Sequence, residues 1–408
     1  MNFKKRKMLA VLVLTIFSSM LLSGCWQRAE LNETAFVIGM GIDKAEKGMG
    51  YKVTLQIVIP SSIASQATGG AGGGVPIVTT TETVPTIYET QRKYSLGNSR
   101  NVYYGHIRVL VIGEALARDG IGETLDVFTR SREPRSDFYV MVAKETTAEN
   151  VLKILTPVNK LPANKLFESL DKSHRLSAKT AAVPLNRFIE DLINRGMSPV
   201  LTGVKVKGNV QEGGSEDNLK HSTPPTETMY DNVAVFSKDK MVGWLDDVQT
   251  IGYNYITDNV VNSSGIVKGK DGNPIVIEAI KTKTKKSVKM ENGEPHIYVE
   301  VNALCNVQEV MSSDNLEEEK VIKELEKKSA EKIVERMQTA VTQINDKFNV
   351  DIFGFGRTIY QSKPKEWRKL LNKYGHNYLK QLPIHYNAKV SINRIGLIDK
   401  TFILDVKE

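Results

Sequence analysis

Ile297-Tyr298-Val299-Glu300-Val301-Asn302-Ala303-Leu304-Cys305-Asn306-Val307, together with the stretch 315–348 that follows it, decides the fold. Ile297, Val299, Val301, Ala303, Cys305 and Val307 recur at every second position, with Glu300, Asn302 and Asn306 between them. A period of two puts one face of a strand in a core and the other in water. The period then changes. Ile322, Leu325, Ser329, Ile333, Met337, Ala340, Ile344 and Phe348 step by three or four, while Glu and Lys crowd the opposite side. That is an amphipathic helix, roughly 50 Å long at ~1.5 Å per residue, with Asp314 and Glu317 as the expected capping pair. The apolar steps drift from a strict heptad, so a coiled coil fits less well. A one-faced strand and a one-striped helix bury each other: an α+β fold, its long helix laid across a sheet.

Reading outward, strands are expected at 265–268, 275–282 and 285–291, with turn signals in Asp271-Gly272-Asn273 and Glu291-Asn292-Gly293. After the long helix come a Gly-broken link at 354–356, a helix at 365–379 and strands at 385–392 and 401–406. Residues 264–408 thus read as a C-terminal α+β domain. Residues 197–263 read as a small middle domain, with a strand at 200–206, a polar loop at 208–228, a hairpin at 233–244 and a short helix at 247–257. Residues 25–196 read as an N-terminal α+β domain in which strands near 34–43, 51–59, 106–112 and 137–143 alternate with helices, one of them capped by Thr146. The expectation is three domains, each a mixed or antiparallel sheet with packed helices. The Gly-rich run 69–74 lacks the Lys-Ser/Thr of a phosphate-binding loop, and no helix opens directly after it.

The N-terminus carries an address. Lys4-Lys5-Arg6-Lys7 precede an almost uncharged apolar run, 8–22, which ends in Leu22-Ser23-Gly24-Cys25. A cationic segment, a short apolar segment and small residues before a cut make a secretory signal. The run is shorter than the ~20 residues needed to span a bilayer, so residues 1–24 are expected to be cleaved. The Leu-Ser-Gly-Cys run resembles the lipobox of bacterial lipoproteins. That resemblance implies an N-palmitoyl, S-diacylglycerol Cys25, and such multiple acylation is what stable anchoring requires. Trp26 and Arg28 suit the headgroup layer beside it.

Cleavage removes four basic residues, so 55 basic side chains fall to 51 against 47 acidic, a net charge of +4. So mild a charge argues against nucleic acid as a partner. Cys305 is left with no partner for a disulfide and belongs on a buried strand face. The six histidines (106, 174, 221, 296, 376 and 385) show no HExxH and no paired metal spacing, and no GxSxG elbow is present. His106 reads as a sheet-end residue, and Phe353-Gly354-Phe355-Gly356 as a tight packed turn. Asp246-Asp247 and Glu317-Glu318-Glu319 are adjacent carboxylates that point apart and are expected to be solvated. No catalytic, cofactor-binding or metal-binding residue is assigned; the chain is read as a non-enzyme.

Three ordered blocks carry a family resemblance. Cys25-Trp26-Gln27-Arg28-Ala29-Glu30-Leu31 with Gly41-Ile42-Asp43 looks like the start of the Ger(x)C spore germination lipoproteins, although Gln27–Glu30 departs from their usual acidic-x-Arg-Glu run. Gly105-His106-Ile107 through Gly113-Glu114, with Ala117 and Gly120, resembles the core of their N-terminal domain. Asp351-Ile352-Phe353-Gly354-Phe355-Gly356, with Pro364 and Trp367, resembles their C-terminal signature. The resemblance implies a lipid-anchored C subunit of a nutrient germinant receptor. It would sit on the outer face of the spore inner membrane, without cofactor or catalytic residues, assembled with integral-membrane A and B subunits. A solute-binding lipoprotein of a transporter would share the anchor, but it would repeat two similar lobes and bind its ligand between them. The strand-rich C-terminal half does not repeat the first, and no small-molecule pocket is expected.

Overall fold

The structure is a computed structural model, which describes residues 33–46, 50–60, 62 and 75–394 together with scattered residues of 3–15. Two sheets organise it. The first contains β1 (Thr34–Lys44), β2 (Tyr51–Val58), β3 (Ile77–Val84), β4 (Asn101–Tyr103), β5 (Val109–Gly113), β6 (Tyr139–Ala143), β7 (Val200–Lys207), β8 (Glu227–Ser237) and β9 (Lys240–Leu245). Its order is β3-β2-β1-β5-β6-β7-β8-β9, with β4 beside β1. The parallel centre, β1-β5-β6-β7, is flanked by antiparallel pairs. β5 and β6 are almost wholly apolar because both faces are covered. Val109 and Val111 pack with helices Ala148–Lys153 and Pro162–Ser177 on one face. Leu110 and Ile112 pack with helices Glu114–Asp119, Gly122–Arg130 and Leu185–Ile193 on the other.

The second sheet, β10 (Ser263–Lys268), β11 (Pro274–Glu291), β12 (Glu294–Val310) and β13 (Ile384–Arg394), is covered on one face. Burial along β12 alternates as its sequence dictates, and Ile297, Val299, Val301, Ala303, Cys305 and Val307 all face the core. The long helix, Glu319–Phe348, lies there, burying Leu325, Ser329, Ile333, Met337, Ala340 and Ile344. The fold is α+β, with the long helix in its C-terminal part.

Several details differ from the sequence reading. Residues 197–263 form no sheet of their own. β7 pairs in parallel with β6 and carries β8 and β9 into the first sheet, because Val200, Leu201 and Val204 are buried and need neighbours at both edges. The strands read at 275–282 and 285–291 are one strand, β11, continuous through a register shift between Ala279 and Lys281. The long helix starts at Glu319, not at 315. Asp314 does not cap it: its carboxylate accepts from Ser312 Oγ and from the Lys270 backbone N–H at 2.9 Å. Thr147, not Thr146, caps helix Ala148–Lys153, accepting from the Asn150 N–H. Asp246 closes a capping box with Gln249 at the start of helix Asp247–Ile256. Residues 401–406 and the acyl site at Cys25, with Trp26 and Arg28, lie outside the described residues. Among those described, no helix is long and apolar enough to cross a membrane.

Candidate functional site

Two of the blocks singled out from the sequence are built around buried aspartates. In the first, Asp43 is the penultimate residue of β1. Its carboxylate accepts from the Ala148 and Glu149 N–H groups at 2.9 and 3.0 Å, taking up the free N-terminal donors of helix Ala148–Lys153. Gly41 and Gly113 make room for this. A Cβ on Gly41 would lie 3.1 Å from Ala148 Cβ, and one on Gly113 only 2.2 Å from Asp43 Oδ1. Burial pushes the Asp43 carboxyl above the usual range, against those two N–H donors.

In the second block, the Asp351 carboxylate accepts four backbone N–H groups: Phe353, Gly354 and Phe355 on Oδ1 at 3.0, 2.8 and 3.2 Å, and Gly356 on Oδ2 at 2.7 Å. The Tyr378 hydroxyl donates to Oδ2 at 2.7 Å. Gly354 supplies the left-handed step, φ 70°, that wraps the chain around the carboxylate and starts helix Phe355–Ser362. Phe353 and Phe355 are fully buried, stacked with ring centroids 5.2 Å apart, which is the packed turn expected of them. Burial pushes the Asp351 carboxyl upward; its N–H donors, the Tyr378 hydroxyl and the nearby Lys286 ammonium act the other way. Lys286 donates to the Phe353 carbonyl, and burial pushes its ammonium down to about 8.

The Asp351 turn is also where the N-terminal helices meet the second sheet. Arg357 donates to Glu190 at 2.9 Å and lies 3.5 Å from Asp191, both on helix Leu185–Ile193. Its backbone N–H donates to Gly196 O at 2.9 Å, and the Ser198 N–H donates to Asp351 O at 2.7 Å. A Cβ on Gly356 would fall 2.8 Å from Gly196 Cα and 2.5 Å from Tyr378 Oη. Such a joint can transmit position between the two sheets; it offers no exposed nucleophile or acid/base pair.

The other residues taken from the sequence are dispersed. His106 is exposed and sits between the rings of Phe36 and Tyr103, each with its centroid 5.6 Å away. Cys305 is buried, its thiol pushed up to about 11 by desolvation, as packing requires. Asp247 pairs with Lys179, and Glu319 with Lys323, on the surface. A cleft of about 300 Å³ between Ile87, Tyr88, Tyr104, Phe128 and Arg132 was not foreseen; it is at the small end of ligand pockets. Nor was a cluster of Glu291, His296 and His385, whose ligand atoms lie within 4.8 Å of one another. His296 and His385 are far apart in sequence and meet only because β12 and β13 pair. The Asp351 carboxylate was equally hidden, its partners being backbone groups and a distant tyrosine.

Comparison with known proteins divides the chain near β8, so that the C-terminal match takes in β9 of the first sheet as well as the second sheet. Residues 27–206 match the family described as spore germination protein N-terminal domain, and residues 231–396 match that described as spore germination B3/GerAC like, C-terminal. Spore germination protein KC of Bacillus subtilis (strain 168) is 32% identical over 94% of this chain and 95% of its own length. Putative spore germination protein YfkR of the same organism is 26% identical over 95% and 97%. The crystal structure of the GerBC protein superposes with a TM-score of 0.54 at 20% identity, covering 87% of this chain and 96% of that one; it bears on the fold alone.

Proposed function

The chain belongs to the Ger(x)C family of spore germination proteins, and from that premise we propose that it is the lipid-anchored C subunit of a nutrient germinant receptor. The family is one of germination proteins and not a known enzyme family. The observation that carries the reading is the end-to-end match to spore germination protein KC, which leaves neither sheet unaccounted for. In this reading Cys25, acylated on its thiol and its amine after removal of residues 1–24, holds the protein on the outer face of the spore inner membrane. Its acyl chains supply the stable hold that a single one would not. The two sheets, locked together at the Asp351 turn, then stand as one extracytoplasmic body that integral-membrane A and B subunits contact. Two sheets of unlike size and topology support a receptor subunit over a solute-binding lipoprotein, which closes two similar lobes on its ligand.

Cys25→Ala tests the anchor. The variant should leave the membrane fraction of detergent-free extracts, and spores carrying it should lose most nutrient-triggered germination, followed as the fall in optical density. A variant that stays with the membranes and germinates normally would show that lipid is not what holds it.

A further inference from the structure

We propose that Glu291, His296 and His385 form a binding site for a divalent transition-metal ion of the zinc, nickel or copper class, at the end of the second sheet. The three residues come from three adjacent strands. Glu291 ends β11 just before the tight turn at Asn292-Gly293, whose φ values are 50° and 81°. His296 is near the start of β12, and His385 is the second residue of β13. The parallel register pairs Tyr298 with His385 and Ile297 with Ile384, and the antiparallel register pairs Lys289 with His296. Period-two geometry therefore puts Glu291, His296, Tyr298 and His385 on one face.

The distances suit a shared cation. His296 Nδ1 lies 3.0 Å from His385 Nε2 and 3.3 Å from Glu291 Oε2. A nitrogen carries at most one proton, so Nδ1 cannot donate to both neighbours at once. One ion can satisfy all three lone pairs. With bonds of roughly 2.0–2.2 Å, tetrahedral ligand atoms stand about 3.3 Å apart, close to the two separations found. Two imidazoles and a carboxylate select borderline metals over calcium or magnesium, which prefer all-oxygen sets. A solvent molecule would complete the tetrahedron, since His385 is exposed and Glu291 is partly so.

The surroundings orient these ligands. The Tyr298 hydroxyl donates to Glu291 Oε1, leaving Oε2 for the metal. The His385 ring stacks on that of Tyr298, with centroids 4.5 Å apart and planes within 20° of parallel, and meets the His296 ring nitrogen to nitrogen, with centroids 5.3 Å apart and planes within 10°. Lys289 is a counterweight: its ammonium lies 4.2 Å from the Tyr298 ring centroid and costs any cation some affinity. The carboxylate charge offsets it. All three ligands sit on hydrogen-bonded strands and not on loops, which favours a fixed geometry.

The test uses the full chain in detergent, purified without a histidine tag. Zn²⁺ is titrated in competition with a chromophoric chelator, and Cu²⁺ is followed by electron paramagnetic resonance. The proposal expects one tight equivalent of Zn²⁺ per chain. His385→Asn and Glu291→Gln should each weaken it tenfold or more while leaving the metal-free melting temperature unchanged. The Cu²⁺ spectrum should show coupling to two imidazole nitrogens in the wild type and to one in His385→Asn. His385 is exposed, so its variant folds and carries the test even if His296→Asn does not. Equal Zn²⁺ affinity in the wild type and His385→Asn, or a Cu²⁺ spectrum untouched by that change, would overturn the site.

Discussion

At the scale of single residues, Asp351 and Lys286 decide most. A side chain 6% exposed that accepts four N–H groups and a hydroxyl cannot be removed without leaving donors unpaired in a dry interior. Such losses cost roughly 1–3 kcal/mol per buried group, and some donors will find water, so Asp351→Ala should lose about 3 kcal/mol or more in denaturant unfolding. Asp351→Asn, which keeps an acceptor oxygen, should recover part of that. A loss below about 1 kcal/mol for the alanine variant would mean that the turn holds without the carboxylate. Lys286 makes a prediction in pH. Its ammonium titrates at about 8 when folded and at 10.5 when free. Between those values the unfolded chain binds more protons than the folded one, so Lys286 makes stability rise with pH across that window. Below it, both states hold the proton and the slope from this group vanishes. Lys286→Met should therefore flatten the rise in unfolding midpoint between pH 8 and 10 relative to wild type; equal slopes would mean the ammonium is solvated. Lys286 was not legible as special in the sequence, and Asp351 stood out only as the first residue of a signature block, without its role. Phe353-Gly354-Phe355-Gly356 announced a packed turn, but what that turn wraps is set by backbone donors, which every sequence possesses.

At the scale of elements, periodicity carried far. The alternation of β12 and the three-and-four stepping of the long helix reappear in the burial of Ile297 through Val307 and of Leu325 through Ile344. What periodicity could not show was how close elements come. Gly252, inside helix Asp247–Ile256, is such a point: a Cβ there would lie 2.3 Å from the Arg336 carbonyl oxygen and 2.6 Å from Ala340 Cβ of the long helix. Two effects oppose one another in Gly252→Ala. Helix propensity favours alanine by about 1 kcal/mol, whereas overpacking a close contact costs about 1–3 kcal/mol. At a separation no real Cβ adopts the clash wins, so Gly252→Ala should lower the melting temperature despite the better helix former. A rise would mean that the two helices separate without penalty. Boundaries were the weaker part of the reading. Asp314 and Glu317 have capping spacing, but Asp314 is drawn away by Ser312, two residues before it, and by the Lys270 N–H, which only the fold brings near.

At the scale of the whole molecule, the cationic, apolar and Leu-Ser-Gly-Cys segments run consecutively and can be read without folding, and what they imply for Cys25 lies outside the described residues. The joining of 200–245 to the first sheet was not readable, because a strand's choice of edge is made by distant partners. Two unlike sheets share one continuous core, from Leu201 and Phe236 through Ile251 to Val299 and Met337. That continuity, tied by Arg357 to Glu190 and by Asp351 to Ser198, lets a contact made on one sheet be felt on the other. It suits a subunit that works by assembly. The proposed assembly can be tested most directly by recovering the protein from detergent-solubilised spore inner membranes and identifying what comes with it by quantitative mass spectrometry. Integral-membrane A and B receptor subunits should co-purify in a fixed ratio to the chain; recovery of the chain alone, or with the permease and ATPase of an importer, would contradict it.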